Sequence, residues 1–459
     1  MALRNLLTCF ICEGRFAPQN MSRIDGPYLV LFLKGMRTVS RKRERFHDPL
    51  NPDDNKFVCL TSLRKDQIED LFTFCDPVPC WGGHRYVEKL DLIAFLAKLH
   101  QGLSDEFLKV LFEYRTRQAT SLAMATTRQS LMQRFVPTNI GFGSITREEF
   151  IQRHVTEFAH ELYNPHPEES QAILIIDVTL IIGSDGHILD VRDPHFADAR
   201  NNDAAMLRDD LGNEDGPMRH WIRAGDIILV ERAYRDIEDL FVEPGLRYYR
   251  PAFFEAGGRQ LSTQDANQSR IVTKMRYVVE ARNGHIKFTC KFLNQMMQIQ
   301  HIPHLGDFDR LAEAMINRYH PPIIMQGADA QLARRMLDRA RQPNALQARV
   351  ENENLATRNA QRWVRLDDGQ LNDSLILTED YVRDLTVGVY QITYTPAAND
   401  DAEHRMEVDA PPIEDYYCLC MSGARTLGTC AHVVCVMWYL GFARHDPNVH
   451  YPSQILLDQ

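Results

Sequence analysis

The sequence predicts an α/β protein: a helical region, then a sheet-bearing centre, then a small metal-binding module. Three observations carry this. Apolar runs of strand length in the centre end in acids, at Asp177 and at Glu231. The stretch before them repeats its apolar residues at helical spacing, and four metal-ligand side chains crowd near the C-terminus as two tight pairs.

Composition sets the outer bounds. The chain has 459 residues, 44% hydrophobic and 25% charged, as in ordinary globular proteins, and is long enough for several domains. A net charge of −10 argues against a uniformly basic nucleic-acid coat but leaves room for local basic patches. No apolar run approaches the ~20 residues of a membrane span, so no membrane partner is expected. The apolar start is broken by Glu13 and Arg15 without a small-residue cleavage site, so no signal peptide is expected. Ten cysteines in so long a chain do not make a disulfide scaffold; the C-terminal four suggest metal binding in a reducing compartment.

Residues 1–60 read as an irregular N-terminal arm. It carries Cys9-x-x-Cys12, which lacks a second ligand pair, and a basic cluster of Arg37, Arg41, Lys42, Arg43 and Arg45. That cluster is a nuclear-import signal, a DNA-backbone arm or a solvated charged loop.

Residues 61–165 read as helical. One amphipathic segment covers 63–74, and a second covers 86–99 with Leu92, Leu96 and Leu99 on one face. Gly102 punctuates, Ser104 caps a third helix carrying Leu108 and Leu111, and a fourth covers 117–135. Helix, glycine turn, capped helix and helix resemble a helix-turn-helix. The stretch 114–135 has Arg115, Arg117, Arg128 and Arg134 with six serines and threonines and no acid, which suits phosphate contact as well as a plain bundle.

Residues 166–325 form the centre. Ala172 to Asp177 is a buried-strand pattern ending in an acid; Val178 to Ile182 continues it to the turn at 183–186, and Ile188 to Val191 returns as a hairpin. A helix follows from Asn202 through Leu211. Asp226 to Glu231 is another strand, and positions five apart face opposite sides, so Glu231 at the exit is the better site candidate. A helix over 267–286 carries Glu280. Three acids scattered from 177 to 280 converge only by folding. Two carboxylates at strand ends and one on a helix are a set that could hold two divalent ions about 3.5–4 Å apart for phosphodiester chemistry, though lone acids at strand ends are also ordinary surface groups.

Residues 326–395 read as a helical connector whose first part is two polar-faced helices split by Pro343. Residues 396–459 read as an acidic linker followed by the metal module. There, Cys418-x-Cys420 and Cys430-x-His432 supply four ligands suited to closed tetrahedral Zn²⁺, and Gly423 and Gly428 allow the turn between them. The spacing resembles a SWIM-type zinc finger, which implies contact with DNA or with protein partners. Cys435 reads as a core thiol.

The segments 195–204 (HFADARNNDA), 225–236 (GDIILVERAYRD), 266–280 (ANQSRIVTKMRYVVE) and 316–322 (INRYHPP) resemble DDE transposases of the Harbinger-like group. The resemblance covers residues 90–325 and continues into the C-terminus. It implies a ribonuclease-H-like mixed sheet, DNA as partner, a nuclear location, and Asp177, Glu231 and Glu280 as catalytic acids holding Mg²⁺ or Mn²⁺. Arg276 and Lys274 would meet phosphate or form a solvated helix face.

Two departures bear on activity. The second acid is Glu231 in ERAY where the family has DRGY, and a misplacement of about 1 Å costs about 10²-fold. The segment after Asp177 is short, which predicts a sheet with strands missing. Three outcomes follow: an active nuclease, a transposase-derived DNA-binding or scaffolding protein with an impaired core, or a degenerate copy without a stable centre.

Overall fold

The computed structural model describes residues 54–164, 170–177, 179–194, 203–234, 238–242, 244–253, 260–323, 325, 327–354 and 418–445. The Cys9/Cys12 pair, the basic cluster at 37–45 and the acidic linker at 396–415 lie outside them.

Among the described residues, seven helices come first, with a short hairpin between the second and third. They are α1 (Asp54–Thr61), α2 (Lys65–Phe72), α3 (Lys89–Gln101), α4 (Asp105–Leu111), α5 (Arg117–Asn139), α6 (Arg147–His154) and α7 (Glu157–Tyr163); the hairpin is β1 (Val78–Cys80) with β2 (Gly83–Arg85). Their boundaries follow local chemistry. The Ser104 hydroxyl accepts from the Phe107 N–H at 3.2 Å to start α4, and Thr116 and Thr156 cap α5 and α7 in the same way. Gly102 ends α3 in the left-handed region, at φ +68°, where a Cβ would be strained. α3 is buried from Leu92 to Leu99 and packs against α1 and α5, so it is the axis of this layer.

The centre holds β3 (Ile173–Ile176), β4 (Leu180–Ile182), β5 (Ile188–Val191), α8 (Asp203–Gly212), α9 (Pro217–Trp221), β6 (Ile227–Leu229), α10 (Glu238–Val242), β7 (Arg247–Tyr249), α11 (Thr263–Thr289) and α12 (Leu305–Tyr319). The sheet is mixed and five-stranded, in the order β5-β4-β3-β6-β7. β3, β4 and β5 pair antiparallel, while β6 and β7 run parallel to β3. The parallel pairs require crossovers, which α8 with α9 and then α10 supply.

The apolar run that the sequence reads as continuing straight past Asp177 is divided there. The run 172–182 is two strands joined at Asp177: the Asp177 N–H donates to the Leu180 carbonyl at 2.9 Å, and the Arg192 N–H to Thr179 at 2.8 Å. β3 has neighbours on both edges, so the sheet that carries Asp177 is continuous. A tight reversal lets one apolar run form two short strands.

Period-two alternation divides the strands between two cores. Ile173, Ile175, Leu180, Ile182, Ile188, Ile227 and Leu229 face the helical layer with α11 and α12 in one continuous core. Leu174, Ile176, Ile181, Leu189, Ile228 and Val230 face Phe150, Leu207, Trp221 and Phe241. Both faces of the sheet are therefore covered, and the helical region shares a core with the sheet.

α13 (Ala330–Arg341) and α14 (Ala345–Asn352) follow, split at Pro343 as predicted. The C-terminal described segment, 418–445, is a loop leading into α15 (Ala431–Gly441). None of the described helices is long and apolar enough to cross a membrane.

Candidate functional site

Asp177 leaves β3 and Glu231 lies beyond the end of β6, so parallel pairing of these two interior strands sets both acids at the same end of the sheet. Facing them is α11, started by Ser262, whose hydroxyl accepts from the Asp265 N–H at 3.0 Å. Arg276, Glu280 and Asn283 stand at i, i+4 and i+7 along it and share one stripe.

Arg276 joins the two strand-end acids. Its Nη1 donates to Glu231 Oε1 at 3.1 Å, and its Nη2 lies 3.4 Å from Asp177 Oδ1. Asn283 Nδ2 donates to the other Asp177 oxygen at 3.0 Å. The Arg276 side chain is 9% exposed, Asp177 14% and Glu231 37%, so the guanidinium is the buried member and the second acid its wetter partner. Glu280 is exposed beside them. The arrangement resembles a carboxylate site filled by an internal cation.

The placement of each sequence-predicted residue follows from this. Asp177 and Glu231 come together through Arg276; Glu280 shares the stripe without a hydrogen bond to either. Among the described residues, the group of ligand-type side chains whose donor atoms lie within 4.8 Å of one another is Cys418, Cys420, Cys430 and His432, and the three acids are not part of it. Divalent ions fit the acids only if Arg276 moves aside. Arg276 and Lys274 are also not free to meet phosphate or to form a solvated face. Arg276 is committed to carboxylates, and Lys274 is buried, which with the nearby Arg270 brings its ammonium down to about 7.

Asp226, set aside in the sequence as facing the wrong way, is fully buried at the entry of β6. It accepts from Arg147 Nε at 3.0 Å and from the Ala172 and Arg223 N–H groups at 2.9 Å each. It ties α6 to the sheet and serves structure. Asn283 was missed by sequence reasoning, although its spacing from Glu280 on a helix would have found it.

The basic helix α5 is only partly available. Arg128 pairs with Asp307 and Arg134 with Asp76, while Thr120, Thr126, Thr127 and Ser130 are buried. Ser121 donates to Asp105 at 2.6 Å. Arg115, Arg117 and Gln118 remain exposed around the helix N-terminus.

The second candidate is the metal centre. Three thiols and the His432 ring bring their donor atoms within 4.8 Å of one another, with Cys418 Sγ 3.9 Å from His432 Nδ1. A tetrahedral ion with bonds of about 2.3 Å to sulfur and about 2.0 Å to nitrogen needs edges of about 3.6–3.8 Å, so the four groups fit Zn²⁺ after small adjustments. Gly423 makes the loop possible: a Cβ there would overlap the Cys418 carbonyl oxygen. Gly428, at φ +66°, turns the chain back toward Cys430. Burial works to raise the Cys420 thiol, and hydrogen bonds from His432, the Ser422 backbone and the neighbouring Cys418 and Cys430 thiols outweigh it, so it lies below the usual range, while burial pushes the Cys418 thiol up. Cys435 is exposed on α15 and is not a core thiol, because that face of the helix is uncovered among the described residues.

No protein-family model matches this chain, and no curated protein or solved structure is detectably similar to it.

Proposed function

We propose that this is a transposase-derived, zinc-binding protein that contacts DNA and no longer carries out the metal-dependent strand cleavage of its ancestry. The observation that carries the reading is Arg276 between Asp177 and Glu231. A ribonuclease-H-like nuclease needs acids at these strand exits free to bind divalent ions. Here a guanidinium supplies the positive charge, and its two carboxylates hold it against the sheet. The mixed sheet order, the acids on adjacent parallel strands and the facing α11 support descent from such a core. The continuous sheet and two covered faces speak against the degenerate copy.

What the chain's own residues do follows. Asp177 and Glu231 fix Arg276, and Asn283 holds the remaining Asp177 oxygen. Arg115, Arg117 and Gln118 offer donors to a phosphate backbone at the start of α5, behind α4 in a helix-turn-helix order. The Cys/His cluster would hold Zn²⁺, which supplies structural cross-linking and leaves no open position for substrate.

A second reading, an active nuclease, is favoured by Glu280 standing one turn from Arg276 on the same stripe. One experiment separates them: Mn²⁺-dependent nicking of duplex DNA by purified protein, beside Asp177→Ala and Glu280→Ala variants. No nicking with salt-sensitive DNA binding retained supports the proposal. Nicking that disappears in both variants establishes the nuclease and overturns it.

A further inference from the structure

We infer that the metal loop clamps α11, so that metal occupancy at Cys418, Cys420, Cys430 and His432 sets the position of the helix facing the carboxylates. The inference rests on that cluster holding a metal and is independent of the DNA reading.

The loop is docked largely through its backbone hydrogen bonds, with Leu427 as its apolar anchor. Gln260 Nε2 donates to the carbonyls of the first two ligands, Cys418 at 2.7 Å and Cys420 at 3.0 Å. The Leu261 N–H donates to the Met421 carbonyl at 3.0 Å. Thr263, first residue of α11, donates to the Ala424 carbonyl at 2.9 Å, and Asn344 Nδ2 reaches the same oxygen at 2.6 Å. Asn267, one turn further on, is buried: its Oδ1 accepts from the Thr426 and Leu427 N–H groups at 2.9 Å each, and its Nδ2 donates to Thr426 Oγ1 at 2.8 Å. Leu427 then enters the core shared by the sheet and the helical layer.

These partners are 80 or more residues apart in sequence, and they meet only where the loop has one backbone shape. Carbonyls of Cys418 and Cys420 point at Gln260, and amides of Thr426 and Leu427 point at Asn267, only when the two ends of the loop are pinned. The metal supplies that pin, because its ligands flank the loop at 418, 420, 430 and 432. Without it, these eight hydrogen bonds must compete with the conformational freedom of a loop containing Gly423 and Gly428. The clamp also reaches the acid site from the other side: Arg232, the residue after Glu231, lays Nη1 3.9 Å from the Met421 sulfur. Asn267 is thus a positioning residue, acting on the carboxylates through the helix that carries Arg276, Glu280 and Asn283.

Hydrogen exchange on the full chain, with zinc bound and after removal by a chelator, reads this out. Release is verified by a colorimetric zinc assay. The Leu261 amide belongs to the central domain, and its hydrogen bond among the described residues is to the Met421 carbonyl, so it reports docking directly. The expected result is exchange at Leu261, Thr426 and Leu427 faster by about tenfold or more on zinc removal, with the α3 amides unchanged. Unchanged exchange at Leu261 with zinc verified as released overturns the inference. Faster exchange throughout α3 also overturns it, because the metal would then be a requirement of the whole fold. Asn267→Leu supplies the reverse arm. This variant is expected to keep the Co²⁺–thiolate absorption of an intact site and to lose Leu261 protection even with metal bound. Retained protection would remove Asn267 from the clamp.

Discussion

Arg276 decides what the two strand-end acids can do, and its removal is the most informative single change. Arg276→Met leaves Asp177 and Glu231 facing each other without a cation. The expected loss is about 2 kcal/mol in urea unfolding, below the value for a fully buried pair because Glu231 is partly wet. Mn²⁺ is then expected to raise the unfolding midpoint of the variant and to leave the parent unmoved; equal response in both would show that the guanidinium does not stand in for a metal. Lys98 and Asp105 form a different pair, almost wholly buried, with Ser121 as third member. Lys98→Met strands a buried carboxylate and is expected to cost about 3–5 kcal/mol, most of it recovered by adding Asp105→Leu. Glu313 tests the opposite case. Burial, with Asp309 and Asp190 nearby, holds its carboxyl well above the usual range, so the fold keeps its proton to a higher pH than the unfolded chain does. The unfolded chain releases that proton as pH rises through the ordinary carboxyl range, and the native state then loses stability relative to it. Glu313→Gln is therefore expected to match the parent near pH 4 and to be the more stable at pH 7. A parent that gains on the variant with rising pH would contradict this.

At the scale of elements, α11 and the metal loop depend on each other for definition. Gly423 is the tightest point. Gly423→Ala places a Cβ on the Cys418 carbonyl, so a Co²⁺ titration is expected to show metal affinity weakened by at least about tenfold; unaltered affinity would mean the loop closes differently. Much of this level was legible in the sequence. The cap at Ser104, the glycine stop at Gly102 and the break at Pro343 stand where local chemistry puts them. The four metal ligands were legible because tight pairs leave little freedom. The division of α5 between internal pairs and exposed donors was not legible: Arg128 and Arg134 look like surface charges until Asp307 and Asp76 arrive from elsewhere in the chain.

For the whole molecule, local pattern fixed the identity of the elements: strands from apolar runs ending in acids, helices from apolar spacing and caps, the metal quartet from ligand type and spacing. Those rest on interactions within a few residues, which a sequence displays directly. Tertiary structure decided the rest. The run from Ala172 to Ile182 carried too little information to show a reversal at Asp177, and the continuous sheet depends on pairing with β6, some fifty residues on. The use of Arg276 as the cation between two acids, and the docking of the metal loop on Gln260 and Asn267, depend on side chains brought together from distant segments. Such contacts leave no local periodicity, because hydrogen bonds and ion pairs are specified by where folding delivers their partners.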